Sequence, residues 1–111
     1  MEEFVLSDLL KSQYIYSTAI LDDQGLLLVA NPNDHNTKKR LTKFAEVYYT
    51  TKEFNQTSII TEKIILIVSK LFDDSTMIVE CATDSNLGLV RHDINVAVSR
   101  LNSYLQSKSP N

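Results

Sequence analysis

The sequence has little of several residues on which functional sites depend. It contains 2 glycines, 2 prolines, 1 cysteine and no tryptophan among 111 residues. Two isolated glycines cannot form the glycine-rich loop that cradles phosphates, and one cysteine can form neither an internal disulfide nor a thiolate zinc cluster. These absences argue against nucleotide binding by a phosphate loop and favour a reducing compartment such as the cytosol.

Long apolar runs and concentrated charge are also missing. The apolar run at 64–68 is far shorter than the roughly 20 residues of a membrane-spanning helix, and the acidic start does not resemble a signal peptide. The net charge is −3, and the only basic cluster is Lys38, Lys39 and Arg40, which we expect to be a solvated helix face. Nucleic acid is therefore an unfavourable partner, and membrane association would have to come through partner subunits.

The residues able to do chemistry are scattered. His35 and His92 fall in separate helical segments without a second ligand nearby, and Cys81 alternates with Val79 as a buried strand residue would. Two aspartate pairs occupy turns, where aspartate serves backbone geometry: 22–23 and 73–74. We therefore predict no catalytic residue, no cofactor site and no metal site, and a protein that is not an enzyme.

Hydrophobic spacing predicts three helices and five strands. A short amphipathic helix opens the chain, Gly25 turns a hairpin, and Asp34 caps the second helix. The predicted strands are 14–21, 26–30, 57–61, 64–71 and 76–82, and the two later helices are 35–54 and 86–106. The order α-β-β-α-β-β-β-α predicts an α/β (α+β) fold with a five-stranded antiparallel sheet and helices on its faces. One domain is expected over 1–108, with a frayed tail at 109–111.

More apolar surface is present than one small domain covers easily. The second helix carries a wide apolar and tyrosine-rich stripe, and the short β-prone run at 58–61 would expose unpaired backbone groups if it lay at the sheet edge. Dimerisation would cover both features. The predicted partner interface comprises Leu41, Phe44, Ala45, Tyr48, Tyr49, Thr57, Ser58, Ile59, Ile60 and Thr61. For the stripe of the second helix, the alternative is that its four residues are core or scattered surface: Phe44, Val47, Tyr48 and Tyr49.

These patterns resemble the roadblock / dynein light chain superfamily, whose domains have a related profilin-like architecture. The resemblance lies in the opening helix, the hairpin at 18–30, and the strand at 76–82 followed by 87–90 leading into the last helix. Within the superfamily, Gly88 between two leucines and the long closing helix are most similar to the roadblock subunit of the Ragulator complex, called the EGO complex in fungi. The strongly basic start of the second helix has no counterpart that the resemblance explains.

The resemblance implies a scaffold. Such a chain would bind another roadblock-domain protein as a heterodimer or homodimer, joining the strand at 57–61 to its counterpart and packing the helices around 41–49 together. The pair would hold Rag-type small GTPases on the cytosolic face of the vacuole or lysosome for TOR signalling. The alternatives are a dynein light chain, a homodimeric roadblock regulator of a small GTPase, and, from another class, a small-ligand sensor or enzyme with a polar-lined pocket.

Overall fold

The computed structural model describes residues 1–48 and 56–108, with residues 44–48 described by their backbone alone. Its elements are α1 (Glu2–Leu9), β1 (Ile15–Leu21), β2 (Leu27–Asn31), α2 (His35–Tyr48), β3 (Gln56–Ile60), β4 (Ile64–Lys70), β5 (Thr76–Ala82) and α3 (Leu87–Lys108). The predicted order and fold class are confirmed. The strand boundaries agree with the prediction to within a residue or so, and α3 runs two residues further than predicted. The predicted helical residues 49–54 and the tail at 109–111 lie outside the described residues.

The five strands form one antiparallel sheet in the order β2-β1-β5-β4-β3. Strands that follow one another in sequence pair with each other: β1 with β2 in the first group, and β3, β4 and β5 in the second. The pairing of β1 with β5 joins the first group to the second. In the described sheet, β2 and β3 are therefore the two edge strands. The connection that contains α2 has to pass from one edge of the sheet to the other. The distance between the two edge strands is about 19 Å, since five strands are separated by four spacings of about 4.8 Å. A helix of 14 residues is about 21 Å long, which matches that width.

Helices lie on both faces of the sheet. The larger core forms where α1 and α3 cover one face, and its fully buried side chains include Leu6, Val79 and Ile94. The smaller core forms on the opposite face under α2, where Leu41 contacts a cluster that includes Leu66 and Ile78. Alternation along β4 and β5 explains this division, since successive residues of a strand point to opposite faces.

The local turn chemistry follows the sequence predictions. Gly25 has a φ of 88°, and the Asp22 Oδ1 accepts hydrogen bonds from the backbone N–H groups of Gln24 and Leu26 at 2.9 and 2.8 Å. Asp34 caps α2, because its Oδ1 accepts a hydrogen bond from the Thr37 N–H at 2.8 Å. That hydrogen bond is the main cause that lowers the pKa of Asp34 below its usual value.

The predicted placements of the reactive side chains are also confirmed. Cys81 is fully buried on the same face as Val79, its thiol donates to the Ile65 carbonyl at 3.4 Å, and burial raises its pKa. His35 and His92 are exposed. Among the described residues, no helix is long and apolar enough to cross a bilayer.

Candidate interaction surface

The strand β3 offers an unpaired edge. Within the described part of the chain it pairs with β4 alone, and the register runs without a break from Gln56 opposite Ser69 to Ile60 opposite Ile65. A regular strand of this kind is a template on which another strand can pair. We call this feature the β3 edge, meaning the solvent side of Gln56–Ile60.

The turn after β3 fixes which backbone groups point outward. The Thr61 N–H donates to the Ile64 carbonyl at 2.9 Å, so Thr61 faces β4. Because backbone groups of an antiparallel strand alternate in direction, Ile59 and Thr57 also face β4, whereas Ile60, Ser58 and Gln56 direct their N–H and C=O groups away from it. Three residues at alternate positions of β3 therefore have backbone groups available for pairing at the β3 edge.

The side chains of β3 divide by sheet face. Ile60 is 70% exposed, which is unusual for isoleucine in a strand, while Ile59 is half-buried against the smaller core. Ser58 and Gln56 are tied to α3, since Arg91 Nη2 donates to the Ser58 hydroxyl at 2.9 Å and the Gln56 amide donates to Asn95 at 3.3 Å. These contacts hold β3 against the rest of the domain without covering its edge.

The hydroxyl of Thr57 has no hydrogen-bond partner in the described structure, although its oxygen is buried. A buried polar group without a partner costs about 1–3 kcal/mol. Thr61 differs, because its hydroxyl donates to the Ile64 carbonyl at 2.9 Å and accepts from the Ile64 N–H at 3.0 Å. Among residues 1–48 and 56–108, the predicted interface strand thus contains one buried hydroxyl without a partner, and the turn that follows the strand is hydrogen-bonded.

The predicted α2 residues are only partly described. Leu41 is fully buried in the smaller core of its own chain. Phe44, Ala45 and Tyr48 belong to α2 by their backbone, and Tyr49 lies outside the described residues. Their grouping with β3 at an interface stays a prediction.

One residue of the basic cluster has a role that the prediction did not include. Lys38, Lys39 and Arg40 are all exposed, as expected of a solvated helix face, but Arg40 also has a buried partner. Arg40 Nε and Nη2 donate to the Glu80 carboxylate at 2.8 and 2.9 Å, and the Glu80 side chain is 3% exposed. The Ser17 hydroxyl donates to the same carboxylate at 3.0 Å. We call Arg40, Glu80 and Ser17 the α2 anchor.

The α2 anchor fastens the helix to the central strands. A buried carboxylate needs a cation and hydrogen bonds, and the bidentate fork of arginine supplies both. The hydrogen bonds that Arg40 donates to the Glu80 carboxylate are the main cause that raises the pKa of Arg40. The sequence did contain one signal, because Glu80 stands between Val79 and Cys81 in an apolar strand. The structure buries all seven positions of that strand, so the carboxylate required a cationic partner. The basic start of α2 therefore has a structural reason at Arg40.

The described grooves differ from a small-ligand pocket. One of them, of about 590 Å³, lies open beside the α2 anchor and the Thr61–Ile64 turn, and the exposed surface of its walls is mainly apolar. Ligand and enzyme sites use a few converging polar groups in a concave pocket. Within residues 1–48 and 56–108, no group of three or more histidine, cysteine, aspartate or glutamate side chains could hold a metal ion.

Comparison with known proteins identifies the fold. No family model matches the sequence, and no curated protein matches it either. Among solved structures, a Roadblock/LC7 domain from Streptomyces avermitilis is similar with a TM-score of 0.81 and 14% identity, covering 93% of this chain and 96% of that chain. MglB from Myxococcus xanthus has a TM-score of 0.78 and 19% identity, covering 96% and 95%. MglB in a tetrameric arrangement has a TM-score of 0.77 and 16% identity, covering 92% and 85%.

Proposed function

From the Roadblock/LC7 fold of this chain, we propose that the protein is a non-catalytic scaffold subunit that pairs with another roadblock-domain chain through the β3 edge and α2. The observation that carries this proposal is the regular, unpaired β3 edge with Ile60 exposed beside it. Strand pairing at such an edge satisfies backbone groups on both chains at once.

The size of the surface suits a specific dimer. A stable interface buries about 1,200–2,000 Å² in total, which one strand and one helix face from each chain can provide. A symmetric antiparallel pairing centred near Ser58 would let the outward groups of Gln56 and Ile60 meet their counterparts. It would also bring a second chain towards the hydroxyl of Thr57, which has no hydrogen-bond partner among the described residues.

In its finer form, the proposal is that the pair presents Rag-type small GTPases on the cytosolic face of the vacuole or lysosome for TOR signalling. The support is the roadblock fold together with the likeness of the 87–90 segment to the Ragulator branch. The protein would be cytoplasmic, and its membrane contact would come from partner subunits.

The likeness to MglB favours a second candidate, a homodimeric or higher-order roadblock regulator of a small GTPase. MglB occurs in a tetrameric arrangement, so a roadblock chain of this shape can assemble with copies of itself. The two candidates share the β3 edge and differ in whether the partner is identical.

The backbone part of the interface is tested by Ser58→Pro. Proline removes the outward N–H of Ser58 but leaves the inward ladder of Ile59 and Thr57 to β4, so the fold is expected to persist and association to weaken. The matched control is Ser58→Ala, which loses the contact with Arg91 and keeps the backbone N–H. Sedimentation velocity measures association, and circular dichroism measures folding. Equal association of both folded variants would contradict the proposal.

The apolar part is tested by Ile60→Lys. Burial of one isoleucine contributes about 1.5–3 kcal/mol, and a symmetric dimer loses two, so the Kd should rise at least about 100-fold. Leu89→Lys is the control, because Leu89 is an exposed apolar residue like Ile60, 57% exposed, and belongs to α3 instead of β3. If the control weakens association as much as Ile60→Lys does, the β3 edge is not the interface.

The partner is identified by measuring the mass of the purified chain alone and with candidate partners. Rag-type GTPases and a different roadblock chain entering one complex would support the Ragulator form. A homodimer that binds a small GTPase without a second roadblock chain would support the other candidate. A stable monomer that binds neither would refute both.

A further inference from the structure

The opposite edge of the sheet, formed by β2, is lined by a groove, which we call the β2 slot. All five residues of β2 line a groove of about 250 Å³, with Glu3 of α1 and Lys38 of α2 among its other walls. An adjoining groove of about 340 Å³ continues past Leu28 and Val29 to Glu2 and Glu3. We propose that this β2 slot binds a short extended segment of a partner protein, which adds a sixth strand antiparallel to β2.

The shape of β2 favours a short segment over another sheet. β2 has five residues, about 17 Å of strand, and Pro32 follows it directly. Its register with β1 shifts where Leu21 pairs with Leu27 and Ile20 pairs with Val29, so Leu28 is an extra residue. Such bulges twist an edge and hinder pairing with a long flat sheet. The β3 edge has an unbroken register and lacks this obstacle.

The symmetry of assembly also disfavours a second copy in the β2 slot. This step rests on the proposed function, because it assigns the β3 edge to a roadblock partner. If both edges paired symmetrically with copies of the same chain, sheets would add without limit and form a fibre. A single extended segment that belongs to no other sheet brings no second pairing edge of this kind, so strand addition stops there.

The charges around the β2 slot define the chemistry of the segment. Glu3 lines both grooves, and it shares the second groove with Leu28 and Val29 of β2. Lys38 shares the first groove with Asn33, and because it lies in the first turn of α2, which follows β2 after three residues, we place it nearer the end of the strand. A segment running antiparallel to β2 therefore meets Lys38 first and Glu3 later. It should carry an acidic residue, then alternating apolar residues, then a basic residue. Leu28, which is 61% exposed, offers the apolar contact.

The test uses a displayed library of random ten-residue segments selected on the purified full chain. We expect enriched segments with an acidic residue before a basic one and apolar residues between them at alternate positions. Binding of such a segment, made as a labelled peptide, should shift the amide NMR signals of Leu27–Asn31. A peptide with the two charges exchanged should bind more weakly.

Charge exchange in the protein supplies the decisive variant. Glu3→Lys with Lys38→Glu should weaken the selected peptide about two- to fivefold for each charge and strengthen the exchanged peptide. Both residues are exposed, so the fold should not change. Glu62→Lys with Lys63→Glu is the matched control, because it makes the same exchange in the turn between β3 and β4. This control should leave peptide binding unchanged.

Three results would overturn the proposal: no enrichment of such segments, binding indifferent to the charge exchange at Glu3 and Lys38, or assembly beyond a dimer that this exchange abolishes. The last result would make the occupant a second copy. Failure of the proposed function is seen separately, as a Ser58→Pro variant that associates normally while the selected peptide still binds at β2.

Discussion

Replacement of Arg40 by methionine tests how α2 is held on the sheet. The variant keeps the length of the side chain but leaves the buried Glu80 carboxylate with the Ser17 hydroxyl as its one remaining partner in the α2 anchor. Removing one partner of a fully buried ion pair costs about 3–5 kcal/mol. The Arg40 side chain is 42% exposed, and solvent screening reduces this figure, so we expect a loss of about 2–3 kcal/mol in the free energy of unfolding.

The loss can be measured by urea unfolding at one fixed protein concentration, because the proposed dimerisation would add to the apparent stability. Lys39→Met is the control: Lys39 is exposed and adjacent, and its replacement should change the stability by less than about 0.5 kcal/mol. The double variant Arg40→Met with Glu80→Met removes the stranded charge and should be more stable than Arg40→Met alone. If Arg40→Met matches the Lys39→Met control, or if the double variant is the least stable, the anchor does not hold α2.

Three further outcomes follow from the turns, the cap and the core. Gly25→Ala should lower stability by about 1 kcal/mol in urea unfolding, since its φ of 88° strains any side chain; an unchanged midpoint would contradict that conformation. Cys81 should react with a thiol reagent only as fast as the chain unfolds, because the thiol is buried and its pKa is raised; rapid labelling of folded protein would place it at the surface. Asp34→Ala should lower the melting temperature at pH 7 and have less effect in acid. The pKa of Asp34 is lowered by folding, so its contribution is complete above the ordinary pKa of about 3.9 and is lost as the pH falls through the folded value.

The fold could be predicted because its signals are local. Alternation in β4 and β5, the turn at Gly25 and the cap at Asp34 each depend on a few neighbouring residues. The predicted order of helices and strands then limited the architecture to a sheet with helices on its faces. The strand order was not predicted, because the pairing of β1 with β5 joins Ile15 to Cys81, which are 66 residues apart in sequence (81 less 15).

The α2 anchor shows why the site was harder to predict. Arg40 and Glu80 are 40 residues apart in sequence, and neither hydropathy nor charge patterning on one helix reports a partner on a distant strand. A basic run is usually solvated, and Lys38 and Lys39 follow that rule. Arg40 is the exception, and the indication of its role lies in its partner: Glu80 is a glutamate among buried strand residues, and its carboxylate could not remain unpaired.

The interface residues were chosen from the apolar stripe of the second helix, the β-prone run at 58–61 and the resemblance to a family. None of these distinguishes an outward side chain from an inward one without the strand register. Leu41 is buried in its own chain, whereas Ile60 stands in solvent, although both are apolar residues of the predicted interface. Strand register decides between Ile59 and Ile60, since neighbouring residues point to opposite faces. The resemblance to roadblock domains indicated which strand would pair, β3. The hydrogen bonding of the turn after β3 then indicated which of its residues direct their backbone groups outward.

The central pairing of β1 with β5 has a consequence for how the chain folds. Neither the first hairpin nor the three-stranded group can complete the larger core alone, because α1 belongs to the first part and α3 follows the second. The slow step should be the closure of this long-range contact, with little structure gained beforehand. The two halves should then melt together in one cooperative transition, and a fragment ending after α2 should have no stable core of its own.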